Sequence, residues 1–397
     1  MLQAYLQQQP TGSRSNKKTI RQQMKNSDSY YLTASILALE GHENTGAKED
    51  LEKKILSEEV DWNKMVYTAS NNYVLQAIYL KMRDNGLLEH LPAGLTAHLK
   101  ELHDLNLERN KTILEHTGKI NRLLRSNGIT PVFMKGLGNM LDGLYSTPAE
   151  RMMLDIDILA DPDLMEKAAQ LLIDDGFTSA QQYDPARKEA MKHFPELVRE
   201  GLPAFVDIHR LPVNIQYESV FGYPDAIEGV HPSRENPEFM VMSDVNKIRL
   251  NFIHSQKVHW GHQHARPSLR DLYDLLLLAR RTDPGSAFDT FRHFRRQAAG
   301  YIRVLNSTFG TAFRLPEGSE GKGLLFHRRH RMAMEHPRLG KISYHLLRAC
   351  RLYLAIPVRS LFDRNYRLYV RVRLRDPEWY KRNLGIRKIV KKKEPKT

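Results

Sequence analysis

Cysteine is almost missing from this chain: Cys350 is the only one in 397 residues. That excludes an intrachain disulfide and a cysteine-built zinc site, and it suits a reducing compartment. Long apolar runs are missing too. Stretches such as Leu275–Ala279 fall far short of the roughly 18 to 20 residues that span a bilayer. The segment from Met1 to Asn26 is Gln-rich and basic with no apolar block, so no secretory leader is read there. These gaps lead to the expectation of a cytoplasmic protein. With 41% hydrophobic and 27% charged residues, the composition is that of an ordinary globular chain. The length predicts two or three packed units, and no internal repeat is visible.

Negative charge is scarce in one place only. From residue 341 to the end there are 17 Lys and Arg against 4 Asp and Glu, which accounts for nearly all of the formal net charge of +14. The rest of the chain is close to neutral. Clustered cations attract nucleic acid phosphates without regard to sequence. The interleaved Leu, Tyr, Val and Ile also suit an anionic membrane surface, and a solvated tail explains the same composition.

What the chain does have lies between Ile129 and Asp161. A short apolar run, Pro131 to Met134, stops at Lys135-Gly136. After a Ser146-Thr147-Pro148 break, a second apolar run carries Asp155 and Asp157. A strand alternates its faces with period two, so these aspartates project together while Leu154, Ile156 and Ile158 pack on the other side. Two like charges side by side are costly unless something positive lies between them, and a divalent, oxygen-seeking ion meets that need. Gly136 permits close approach of an anion, with Lys135 as a point charge beside it. Downstream, Phe205, Asp207 and His209 alternate on one face of a further predicted strand, so a third carboxylate is available.

The pattern Lys135-Gly136, Leu144-Tyr145, Arg151 and Asp155-Ile156-Asp157-Ile158-Leu159 resembles an uncharacterised nucleotidyltransferase-like family of bacterial proteins. That family is a branch of the DNA polymerase β-type nucleotidyltransferase superfamily, and the resemblance spans roughly residues 60 to 285. Lys-Gly stands where the superfamily usually has Gly-Ser or Gly-Gly. The resemblance implies an α+β fold with a mixed-sheet core flanked by helical regions. It also implies transfer of a nucleoside monophosphate from an NTP to a hydroxyl acceptor, with pyrophosphate leaving. Asp155, Asp157 and Asp207 would hold two Mg²⁺ ions, Mn²⁺ being an alternative, and Asp207 would help deprotonate the acceptor. Lys135, Gly136, Arg151 and His209 would serve the nucleotide. The acceptor, whether small molecule, protein or RNA, is left open. Two other classes compete: a catalytically weak or inactive nucleotide-binding module, and a nucleic-acid or membrane-binding protein acting through its basic end.

The predicted organisation is a disordered basic stretch at 1–28, a helical region at 29–128, a catalytic core at 129–235, a helical region at 236–345 and a basic tail at 346–397. In the core, strands are expected at Thr130–Met134, Asp155–Ala160, His193–Val198 and Ala204–Leu211, the last two as a hairpin. Helical spacing is expected over Ser243–Val258 and Ser268–Arg281. His254, His259, His262 and His264 match no zinc spacing and lack a nearby carboxylate or cysteine partner, so a solvated loop is the expectation. His254 and Lys257 are instead placed where a helix could bring them to the nucleotide. Arg270, Asp271 and Asp274 are read as a charge network within their own helix, with a lining of the cleft as the alternative. Arg151 has a second reading as the ion-pair partner of Glu150 or Asp155.

Overall fold

Asp155 and Asp157 lie on a strand in the middle of a sheet, and the sheet decides what each can reach. The computed structural model describes residues 26–40, 45–57, 60–179, 181–291 and 293–374. Seven strands form one mixed sheet in the order β3-β4-β5-β2-β1-β7-β6. They are β1 (Val132–Phe133), β2 (Asp155–Leu159), β3 (Thr178–Ser179), β4 (Leu197–Val198), β5 (Phe205–His209), β6 (His231–Pro232) and β7 (Met240–Val241). β2 and β5 are parallel neighbours, with Asp157 opposite Asp207 and Leu159 opposite His209. β1 lies antiparallel on the other edge of β2.

The strands are shorter than their apolar runs. Pairing of the first is confined to two residues, since Pro131 has no N–H to offer and Lys135 leaves the sheet in a left-handed conformation at φ 53°. The predicted hairpin does form, with Leu197 opposite Val206. Its first arm is only β4, and His193 adds an isolated bridge to His209. Ile156 and Ile158 pack as expected, whereas Leu154 is 39% exposed and lies ahead of the strand.

Helices make up most of the remainder. Before the sheet come α1 (Asn26–Ala38), α2 (Thr45–Leu56), α3 (Trp62–Asn71), α4 (Leu75–Asp84) and α5 (Ala93–Ser126). Within it are α6 (Lys135–Leu141), α7 (Met165–Asp174) and α8 (Tyr223–Ile227). After it follow α9 (Asp244–Ile253), α10 (Gly261–His264), α11 (Leu269–Arg281), α12 (Ser286–Asp289), α13 (Arg295–Phe309), α14 (Leu324–Glu335), α15 (Pro337–Cys350), α16 (Ile356–Phe362) and α17 (Arg364–Leu374). Two π-helical turns, 254–258 and 351–355, follow α9 and α15. One apolar core joins α1, the sheet and the later helices as far as α14. The fold is α+β, as the resemblance implies.

The long helix α5 sets the geometry of the site. It ends at Asn127-Gly128, where Gly128 takes φ 78°. Its buried Asn106 and Asn110 side-chain amides each donate at 2.7 Å, to the carbonyls of Ala149 and Arg151 respectively, and Arg109 Nη2 donates to Met153 O at 2.8 Å. Three side chains on one helix face thus fix the segment that delivers Asp155. The stretch read as a basic tail is helical as far as residue 374, with exposed Leu346, Leu354, Leu361 and Phe362 among its arginines. Residues 1–25 of the predicted disordered stretch and 375–397 of the tail lie outside the described residues, while 26–28 open α1. Among the described residues no helix is long and apolar enough to cross a membrane.

Candidate active site

Parallel pairing of β2 with β5 places Asp157 and Asp207 side by side, and period two brings His209 to the same face. Among the described residues these three form a group whose ligand atoms all lie within 4.8 Å of one another. Asp157 is 1% exposed and accepts from Lys135 Nζ at 2.5 Å; the same Oδ1 lies 2.8 Å from His209 Nε2. His209 Nε2 is 3.9 Å from Asp207 Oδ2, while Asp207 Oδ1 is buried without a partner. Asp155, at the start of β2, stays outside this group and lines the adjoining cavity. The expected three-carboxylate set is therefore observed as two carboxylates and an imidazole.

Burial, followed by the charges of Lys135 and Lys192, holds His209 well below the usual imidazole range, so the ring is neutral. A neutral ring carries one N–H, yet Nδ1 faces Leu211 O at 3.2 Å and Nε2 faces a carboxylate oxygen. With the proton on Nδ1, donated to the carbonyl, the Nε2 lone pair points at the two aspartates. That is the arrangement in which a backbone carbonyl orients a metal-holding histidine.

Burial, then repulsion from Asp157, pushes Asp207 from 3.8 up to about 7. Repulsion from Asp157, then burial, raises Asp155. For Lys135, burial alone would favour the neutral amine, but Asp157, Asp155 and Asp207 outweigh it and raise the group. Lys135 therefore stays charged among the carboxylates, held in a strained left-handed conformation of the kind that persists where surroundings over-determine it. Folded Asp207 keeps a proton that the unfolded chain releases, so its contribution is present below about pH 4 and is lost as pH rises to about 7. With divalent ions chelated, urea unfolding is expected to show this decline, and Asp207→Asn to remove that part of the slope.

Beside the cluster lies a cavity of about 270 Å³ lined by Lys135, Gly136, Arg151, Asp155, His254 and Arg270, among others. Arg151 is buried and pairs with neither Glu150 nor Asp155. Its Nε and Nη2 donate to Asp274 Oδ1 at 3.0 Å and Oδ2 at 2.9 Å. Burial would lower this guanidinium, but Asp274 outweighs it and raises it. Asp274 thus leaves the predicted helical network to hold Arg151, while Arg270 lies 3.6 Å from Asp271 and His259 lies 3.8 Å from it. His254, half-buried, meets His259 edge-on at 4.5 Å. Lys257 faces away into another cavity. His262 stacks on Phe326 and His264 on Tyr344. Among the described residues no metal-holding group includes any of the four histidines.

The two glycines of the turn differ. A Cβ on Gly136 would meet only the flexible end of Met153 at 3.2 Å and Arg151 at 3.5 Å. On Gly138 it would stand 2.4 Å from Phe133 O, because α6 packs directly on β1 there. Gly138→Ala is expected to cost about 1–3 kcal/mol by overpacking, and Gly136→Ala much less. Urea unfolding of both variants checks the difference.

The family described as "Uncharacterised nucleotidyltransferase" matches residues 58–307, more than half of the chain and including every residue of the cluster and cavity named above. The chain belongs to that family. No curated protein and no solved structure matches it.

Within this nucleotidyltransferase family member, one residue beside the site, Lys192, is absent from the sequence reading, and two others have partners that the sequence does not show. Lys192, brought in where its carbonyl accepts from Arg210 N at 2.9 Å, has its ammonium lowered by burial and by Lys135. Asp274 lies 123 positions from its partner. His209, expected at the nucleotide, lies beside Asp157 and Asp207, and its alternation with Asp207 is the sequence signal for that proximity.

Proposed function

We propose that the protein is a metal-dependent nucleotidyltransferase that moves a nucleoside monophosphate from an NTP to an acceptor hydroxyl and releases pyrophosphate. The observation that carries this reading is the pair Asp157 and Asp207 on adjacent parallel strands, with one Asp207 oxygen buried and unpartnered. Such an orphaned oxygen, on a carboxylate grouped with a second carboxylate and an imidazole, fits a divalent cation. Asp157, Asp207 and His209 would hold it. Imidazole with carboxylate suits Mn²⁺ at least as well as Mg²⁺, which prefers oxygen alone. Asp155, on the same face of β2 and lining the cavity, supports a second ion beside the first. When bound, the ions stabilise the attacking and leaving oxygens of an in-line displacement.

The chain's own residues divide the remaining tasks. Lys135, charged and at the mouth of the turn, offsets triphosphate charge, and Gly136 leaves room for its approach. Arg151, oriented by Asp274, presents its guanidinium to the same cavity. Asp207 receives the proton of the acceptor hydroxyl. Family membership supports a transferase role. The exposed lone thiol of Cys350 supports a cytoplasmic setting.

The test is incubation of the full chain with each α-labelled NTP, a cell lysate, and Mg²⁺ or Mn²⁺. Label transferred to an acceptor together with divalent-dependent pyrophosphate release is expected. Nucleotide that binds but never turns over with any lysate would favour the nucleotide-binding module instead.

A further inference from the structure

The π-helical turn 254–258 serves two cavities. His254 lines the one beside the aspartates, whereas Gln256 and Lys257 line a second of about 140 Å³. The opposite wall of the second comes from the other π-helical turn, through Arg351, and from Arg359 on α16. π-helical turns are rare and concentrate at functional sites, and here both contribute to one small chamber. Phe294, another wall residue, takes a left-handed φ of 64°, a conformation that costs a non-glycine residue free energy.

The charge in this chamber is unbalanced. Lys257 Nζ donates to Gln297 Oε1 and sits 3.9 Å from the Phe294 ring centroid. Arg351 Nη2 donates to the Tyr217 hydroxyl at 3.1 Å and lies over Trp260 at 4.7 Å. Arg359 Nη1 donates to the Tyr366 hydroxyl at 2.6 Å. Every partner is neutral, and no carboxylate lines the cavity among the described residues. Lys257 is buried, Arg351 half-buried and Arg359 exposed, and gathering three cations around one chamber without an anion is unfavourable. Burial, then Arg351 and Arg359, accordingly push Lys257 down to about 7. Two further wall groups, the buried Gln256 Oε1 and His262 Nδ1, have no hydrogen-bond partner. An amide can be turned about to present its NH₂ instead.

We propose that this chamber binds a single tetrahedral oxyanion of the phosphate class, held by Lys257, Arg351 and Arg359. The chamber, at about 140 Å³ against about 270 Å³ for the cavity beside the aspartates, has about half the room, so it takes one group and not a nucleotide. Planar, forked guanidiniums and a buried ammonium are the side chains that match phosphoryl oxygens. The site shares no residue with the Asp157 cluster, so it stands whether or not that cluster is catalytic.

Calorimetric titration of the full chain with inorganic phosphate, at a saturating NTP concentration that keeps the first cavity filled, tests this. One saturable site is expected. Its affinity should fall at least tenfold in both Arg351→Gln and Lys257→Met and stay unchanged in Lys135→Met. No saturable binding, undiminished binding in both chamber variants, or loss on Lys135→Met would overturn the proposal. Should the chamber variants fail to fold, sulfate on the wild-type chain decides: it must displace phosphate competitively, and failure to do so sinks the idea. A parallel titration with glycerol phosphate separates the sources. Tighter binding of the monoester points to a phosphorylated small molecule, and tighter binding of inorganic phosphate to the free ion.

Discussion

Asp207→Asn is expected to lower divalent-dependent pyrophosphate release about a thousandfold, since several kcal/mol of transition-state stabilisation converts at about 1.4 kcal/mol per tenfold. The fold should survive. Asp207 is raised in pKa by burial and by Asp157, so a neutral amide of the same shape relieves repulsion between adjacent strands. Unfolding in urea with divalent ions chelated should therefore show a stability equal to or above wild type near pH 7. Loss of turnover combined with retained or increased stability is the signature of a group kept for chemistry at the expense of the fold. A stability loss in parallel with the activity loss would instead make Asp207 a structural residue. Initial-rate assays in Mg²⁺ and Mn²⁺ beside the unfolding curves give both numbers on one preparation.

Asp274→Ala should do the opposite and damage the fold first. Its carboxylate holds Arg151 through two parallel hydrogen bonds and also accepts from the Tyr145 hydroxyl at 2.8 Å, all three side chains being buried. Removing it leaves a guanidinium uncompensated in the interior, a loss of about 3–5 kcal/mol. Replacing both members, Arg151→Met with Asp274→Leu, is expected to recover most of that stability while leaving turnover low. Tyr145 then lacks its acceptor, so recovery stays incomplete. If the double variant regains activity along with stability, Arg151 holds the cavity together but has no part in binding nucleotide.

Much of the site could be read before any coordinates, for physical reasons that also mark where the reading stopped. Period-two alternation placed Asp155 with Asp157 and Asp207 with His209, because strand faces follow from local geometry alone. Which strand lies beside which depends on the crossover between them, and only the parallel register of β2 and β5 shows that Asp157 meets Asp207 and that His209 belongs with both. The short strands are shorter than their apolar runs: such a run records burial, whereas pairing at β1 is cut short by Pro131 and by the left-handed Lys135. Gly138, unremarkable by motif, is where α6 touches the backbone of β1. The partner of Arg151 sits on α11, far along the chain, and no local rule could have chosen Asp274 over Glu150. The aromatic stacking of His262 and His264 was equally out of reach, since their partners come from α14 and α15.

Whether Asp157, Asp207 and His209 hold one divalent ion together is read from the paramagnetic resonance of Mn²⁺ added to the full chain. A tight site carrying the nuclear coupling of an imidazole nitrogen is expected. That coupling should disappear in His209→Gln, and the site itself in the Asp157→Asn, Asp207→Asn double variant. Mn²⁺ bound as tightly by the double variant as by the wild-type chain, or a tight site with no coupled nitrogen, would contradict it.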